Sequence, residues 1–183
     1  MLQLTTPRLI LRHFIEADWP ALWQIIGDAE TVAYMHFGTM DETACRDWFT
    51  GSIANSQLAV PNAYNWAIVR QLDQHLIGWI GIGSAEHPRY AGERDFGYVL
   101  HKQCWNHGYM TGAITAVIAY EFTALKTPVI SATHDINNPA SGIVMQKVGM
   151  RCITQRPDID NRGNATTEMC YVIHNPQIEI INP

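Results

Sequence analysis

Residues 95–133 order a strand-like run, a turn of small and polar residues, a helix-like run and a second strand-like run. That order restricts the fold more than any other part of the chain. Asp95-Phe96-Gly97-Tyr98-Val99-Leu100 reads as a strand, and Val129-Ile130-Ser131-Ala132-Thr133 as another. Between them Ile114, Val117, Ile118, Phe122 and Leu125 share one face of a helix. A strand, a helix and a strand make a crossover unit, so 95–100 and 129–133 are expected to run parallel. The turn Gln103-Cys104-Trp105-Asn106-His107-Gly108-Tyr109-Met110-Thr111-Gly112-Ala113 enters that helix. Free backbone N–H groups at the positive end of a helix dipole are a ready site for phosphates. The turn therefore points to a pyrophosphate-bearing cofactor.

The remaining segments predict an antiparallel sheet built around this unit. Residues 8–14 read as a first strand, and Asp18 with Pro20 as the start of a helix striped by Leu22, Ile25, Ile26 and Ala29. A second helix begins near Asp41, with Cys45, Trp48, Phe49 and Ile53 on its apolar side, and Val60-Pro61-Asn62 closes it. Residues 66–69, 76–83 and 94–100 are strands joined by short links, so they are expected to be antiparallel neighbours. Asn138 and Pro139 open a last helix that Gly149 ends; 151–154 and 169–173 are the final strands. The expectation is one α+β domain over 1–183 around a mixed sheet.

Composition narrows the partners. Hydrophobic content of 47% and charged content of 16% describe a globular chain. A formal charge of −5 argues against nucleic acid and anionic membranes and suits a cationic acceptor. Cys45, Cys104, Cys152 and Cys170 have no CxxC spacing, so reduced thiols in a cytoplasmic protein are expected. The start of the chain lacks a signal-peptide layout, and no apolar run reaches the ~18 residues that span a bilayer. His101, Cys104 and His107 are spaced three apart, but on a strand end and loop without a fourth ligand, so no metal is expected.

The order of elements and several local motifs resemble the GNAT N-acetyltransferase superfamily, most closely its RimJ/RimL branch. Thr6-Pro7-Arg8-Leu9-Ile10-Leu11-Arg12 with Glu16-Ala17-Asp18 is similar to that branch's opening signature. Leu76-Ile77-Gly78-Trp79-Ile80-Gly81 and Asp95-Phe96-Gly97-Tyr98-Val99-Leu100 are similar to its central strands. Gln103-x-x-Asn106-x-Gly108-Tyr109-x-Thr111 is similar to its pyrophosphate loop, and Asn138-x-x-Ser141 through Met150 to the helix that follows. Three positions depart from the pattern. Asn106 stands where Gly is usual, and Asn tolerates left-handed geometry. Gly112 stands where an acidic residue is common. Met145 stands where many members place a Tyr general acid, so that role is vacant or falls to another residue.

The resemblance implies a GNAT-like, mostly antiparallel central sheet flanked by helices, whose splayed parallel strand pair binds acyl-CoA. It implies acetyl-CoA as donor and a primary amine as acceptor, attacked directly. Backbone N–H groups of Asn106, His107, Gly108, Tyr109, Met110 and Thr111 would hold the pyrophosphate, and the Thr111 hydroxyl and Gln103 would add contacts. The strand containing Tyr98, Val99 and Leu100 would hold the pantetheine arm and polarise the thioester carbonyl. Tyr98 would line the cleft or belong to the core. Asn138 would cap its helix, contact pantetheine, or both. Ser141 would donate to the departing thiolate, and Asp95, or else Glu93, would take the acceptor's proton. A protein N-terminal α-amino group, a small amine such as a polyamine or antibiotic, and a catalytically silent acetyl-CoA sensor all stay open. A homodimer is also implied, with the apolar strand 169–173 as its candidate contact.

Overall fold

The computed structural model describes residues 2–38, 40–58, 61 and 63–178; Val60 and Asn62, expected at the end of the second helix, lie outside them. Eight strands form one sheet: β1 (Gln3–Thr5), β2 (Leu9–Arg12), β3 (Ala63–Arg70), β4 (His75–Ser84), β5 (Arg94–Leu100), β6 (Val129–Asp135), β7 (Arg151–Ile159) and β8 (Ala165–His174). Their order is β1-β2-β3-β4-β5-β6-β8-β7, with β5–β6 as the parallel pair and antiparallel pairing elsewhere. Four helices, α1 (Trp19–Ile26), α2 (Glu42–Asn55), α3 (Tyr109–Thr123) and α4 (Pro139–Lys147), cover it.

Alternation along the strands divides the side chains between two cores. On one face Leu11, Trp66, Ile68, Ile80, Phe96 and Leu100 pack with Ile114 and Val117 of α3 and Met145 of α4. On the other, Val69, Trp79 and Val99 pack with Leu22 and Ile25 of α1 and Cys45 and Phe49 of α2. Successive residues of β5 therefore serve opposite faces, which matters for Asp95 and Tyr98 below.

Some local expectations change. Asp18 does not cap α1. Its carboxylate accepts from Arg12 Nη1 and Nη2 at 2.7 and 2.8 Å and from the Ile15 N–H at 2.9 Å, because a short turn precedes the helix. α1 ends at Ile26, so Ala29 falls outside it. α3 starts at Tyr109, before its apolar stripe, because the loop glycine caps it. By contrast α2 starts beside Asp41, as expected, and Asp41 caps it through the Ala44 N–H at 2.9 Å. β8, which contains 169–173, lies between β6 and β7 and is paired on both sides; the outer edge on that side is β7.

The parallel pair is short. Arg94 pairs with Ile130 and Asp95 with Ser131, and there the ladder stops while both strands continue. Buried charge pins this apex. Glu121 of α3, 0% exposed, accepts from Thr127 Oγ1 at 2.5 Å and lies 3.4 Å from Arg94 Nε. One carboxylate thus ties the starts of β5 and β6 to the helix between them. Beyond the apex the strands part into a V.

Candidate active site

The loop expected to hold phosphate has the geometry that its residues require. Asn106 and Gly108 adopt φ of 60° and 72°, so the departure at Asn106 keeps the left-handed turn. Gly108 is the N-cap of the 15-residue α3. Trp105 Nε1 donates to Leu100 O at 2.7 Å, anchoring the loop to β5. Arg8, from the start of β2, donates through Nη1 to His107 O at 2.9 Å and stacks 4.7 Å over the Tyr109 ring. A guanidinium therefore adds positive charge beside the free amides of the helix start.

From Phe96 onward the edge of β5 that faces β6 has no strand partner. Unpaired backbone groups in a slot must find partners elsewhere, and an amide-bearing chain is one kind of ligand that can supply them. The slot opens into a cleft of about 660 Å³ lined by Trp79, Asp95, Gly97, Tyr98, Ser131, His134, Asn138 and Ser141. Asp95, Glu93, Tyr98, Asn138 and Ser141, from separate segments, thus share one cavity. Gln103 does not reach it. It lines a separate polar hollow with Gln24, Arg70 and Asp73.

Tyr98 and Ser141 meet across the V, with hydroxyl oxygens 2.6 Å apart; the phenol also donates to Ser141 O at 3.2 Å. Burial pushes the Tyr98 phenol up to about 12, against the opposing effect of Ser141, so it keeps its proton at neutral pH. Asn138 Oδ1 accepts from the Ser141 N–H at 3.4 Å, the capping contact. Met145 is 1% exposed in the core, so the position where many relatives carry a tyrosine holds no polar group near the cleft.

The two candidate bases differ. Glu93 is buried and its Oε2 accepts from the Arg89 and Tyr90 N–H groups at 2.6 and 3.0 Å, which organises the preceding loop. Asp95 keeps contact with solvent, yet the surrounding protein raises its pKa by desolvation first, with Glu93 and Glu86 adding repulsion. A carboxylate shifted upward is a better proton acceptor. Cys104 is buried and its thiol is raised by that burial, which does not suit a nucleophile. Among the described residues no group of three or more His, Cys, Asp or Glu could hold a metal.

Other cleft residues carried no local signal in the sequence. The roof is the 33–36 segment, held by Asn161 Nδ2 donating to Met35 O at 2.7 Å. Glu168 of β8, 2% exposed, pairs with Arg156 and lies 3.5 Å from His36 Nε2. Burial alone would raise its pKa, but hydrogen bonds from His36, Thr133 and Arg156 hold it at about 2. These partners come from β6, β7 and the α1–α2 connection, which only the folded chain joins.

A splayed parallel strand pair, a phosphate loop capping the intervening helix and an acid-lined cleft define an acyl-CoA-dependent acyltransferase architecture. Residues 8–151 match the family described as Acetyltransferase (GNAT) domain, and the chain belongs to that family. It is an acyltransferase of the N-acetyltransferase type, and the family's donor is acetyl-CoA. An uncharacterized N-acetyltransferase, YnaD of Bacillus subtilis, is 28% identical over 152 residues, 82% of this chain and 83% of that protein. A GNAT-family acetyltransferase structure from Bacillus anthracis superimposes with a TM-score of 0.82 at 24% identity, covering 95% of this chain and 99% of that one. RimL, a ribosomal L7/L12 alpha-N-protein acetyltransferase in complex with coenzyme A, superimposes with a TM-score of 0.81 at 17% identity, covering 94% and 98%. The RimJ/RimL-like shape read from the motifs is thus present in three dimensions.

Proposed function

We propose that this protein transfers the acetyl group of acetyl-CoA to a primary amine, with a protein N-terminal α-amino group as the foremost acceptor. The observation that carries this reading is the V between β5 and β6 opening beside Asp95 and Ser141. The pyrophosphate rests on the amides of Asn106 to Thr111, with Arg8 behind them. The pantetheine arm enters the V and pairs with the free edge of Tyr98, Val99 and Leu100. A backbone N–H there polarises the thioester carbonyl. An acceptor ammonium loses its first proton to Asp95 and through it to water. The neutral amine attacks, and Ser141, backed by the Tyr98 hydroxyl, stabilises the departing thiolate. The likeness of shape to RimL supports the α-amino acceptor.

A polyamine is the second reading. Glu86, Asp95, Asp135, Asp158 and Asp160 all line the cleft, a charge excess that suits an acceptor with more than one cationic centre. One domain working in the cytoplasm fits both readings, and the four free cysteines suit a reducing compartment. Thiol release from acetyl-CoA, assayed with N-terminal peptides and polyamines in parallel, separates them. Binding of acetyl-CoA without turnover on any acceptor would instead mark a silent sensor.

A further inference from the structure

Gly97 lies in the middle of β5, and nothing in the protein requires glycine there. Its φ is not left-handed, so the backbone suits any residue. A strand interior disfavours glycine, which packs nothing and loses more freedom on folding than other residues. Gly78 and Gly81 of β4 differ, because their neighbours require them. A Cβ at Gly78 would lie 2.3 Å from Val99 O, and one at Gly81 would lie 2.8 Å from the Trp79 ring and 2.9 Å from Asn65 Oδ1. A Cβ at Gly97 would meet nothing within 4 Å. Gly97 is exposed, and the space it faces is the cleft that it lines. Alternation places it on the face of β5 shared by Asp95 and Val99. Across the ladder it pairs with Gly81, which pairs in turn with Asn65 of β3. Asn65 Nδ2 donates to Ser52 Oγ at 3.1 Å, which leaves Oδ1 turned over Gly81 beside the Trp79 ring. Those two side chains border the bare floor at Gly97, with Asp95 on the same strand and the 33–36 segment as roof.

We propose that Gly97 is a specificity-determining residue, the floor of a pocket for the first side chain of an α-amino acceptor. The inference rests on the acetyl-transfer reading above and names what separates its two acceptor classes. Gly97 lies between Asp95, the proposed base, and the free edge of Tyr98 to Leu100, the proposed seat of the thioester. An amine that attacks there sets its own carbon over Gly97. In a polyamine that carbon is a methylene, with only hydrogens beside its chain. In a peptide N-terminus it is a Cα whose side chain needs the room that a Cβ on β5 would take. The glycine keeps that room although a larger residue would stabilise the strand, the usual conflict between a binding site and stability. The Trp79 ring gives the incoming side chain an apolar wall.

The test compares Gly97→Ala and Gly97→Val with the parent on three acceptors. Two are peptides that differ only in beginning with glycine or with alanine, and the third is a linear polyamine. Gly97→Ala should lower kcat/KM for the alanine peptide at least about tenfold more than for the other two, the scale of one methyl group in a filled pocket. Gly97→Val should widen that gap. The KM for acetyl-CoA should stay within about twofold. The Tm of Gly97→Ala should equal or exceed that of the parent, because the new Cβ displaces nothing. An equal fall for the two peptides would overturn the inference. A lower Tm for Gly97→Ala would overturn it too, since the protein itself would then need the space. A parent that acetylates the polyamine but neither peptide would overturn the inference and leave the acetyl-transfer reading standing. Turnover of none of the three acceptors would overturn that reading itself.

Discussion

Tyr98 of β5 and Ser141 of α4 place their hydroxyl oxygens 2.6 Å apart across the V that begins at Asp95. The two residues belong to elements separated by a helix and a strand, and their contact closes the slot that a pantetheine arm would enter. In the proposed reaction a ligand there would part this bond and free both hydroxyls for the sulfur. Met145, where the family pattern suggests a tyrosine acid, is buried in the core, so the proposed reaction assigns the leaving-group role to this pair.

Ser141→Ala is expected to lower kcat by roughly 10²-fold, the usual scale for losing an acid–base group. Tyr98→Phe should cost less, and the double variant little more than Ser141→Ala, because coupled residues are not additive. Steady-state kinetics with saturating acetyl-CoA checks this. Unchanged kcat in both single variants would remove the pair from the leaving-group step.

Asp95 should show opposite effects on rate and stability. Its carboxyl is raised by desolvation first, then by Glu93 and Glu86. A carboxyl raised in the folded chain supports folding below its unfolded value and loses that support as pH rises through the folded value. Asp95→Asn is therefore expected to raise Tm at neutral pH while lowering kcat by at least about tenfold. In the parent, the acid limb of kcat/KM should lie above the ordinary aspartate range. Full activity of the Asn variant at every pH would leave Asp95 without a role as base.

Glu168 carries the reverse sign. Held at about 2 by His36, Thr133 and Arg156, it contributes stability that is complete above the ordinary glutamate value and lost as pH falls toward 2. Glu168→Gln should cost about 1–3 kcal/mol at pH 7, since a buried partner is removed from Arg156. Denaturant unfolding should show that gap narrowing as pH falls from 5 to 3 (on the order of the shift itself). A constant gap would separate Glu168 from the effect.

Arg8 supports the phosphate loop from behind through His107 O and Tyr109. Arg8→Ala should raise the KM for acetyl-CoA roughly fivefold, the equivalent of about 1 kcal/mol of hydrogen bonding. The KM of the parent should also rise more steeply with salt than that of the variant. Equal salt dependence in the two proteins would show that Arg8 acts only through loop shape.

Local pattern made much of the framework legible. The crossover of β5, α3 and β6, the three-strand meander and the helix start near Asp41 were all readable because each depends on residues close in sequence. The edges of elements were less so. Asp18 looked like a cap, but its carboxylate is taken by the Arg12 guanidinium from the strand just before the helix. The position of strand 169–173 within the sheet was not readable: β8 lies between β6 and β7, not in chain order.

The sequence by itself determined the shape of the loop proposed for the donor. A phosphate loop, its left-handed Asn106 and Gly108 and the helix it caps are one continuous segment, so local stereochemistry suffices to specify them. The acceptor side was decided by tertiary structure alone. Asp95, Tyr98, His134, Ser141 and Glu168 share a cleft only because β5 and β6 part after two paired residues each and β8 folds back beside β6. Such groups acquire their protonation and partners from neighbours distant in the chain. A shifted carboxyl comes into being only when the fold brings those neighbours together.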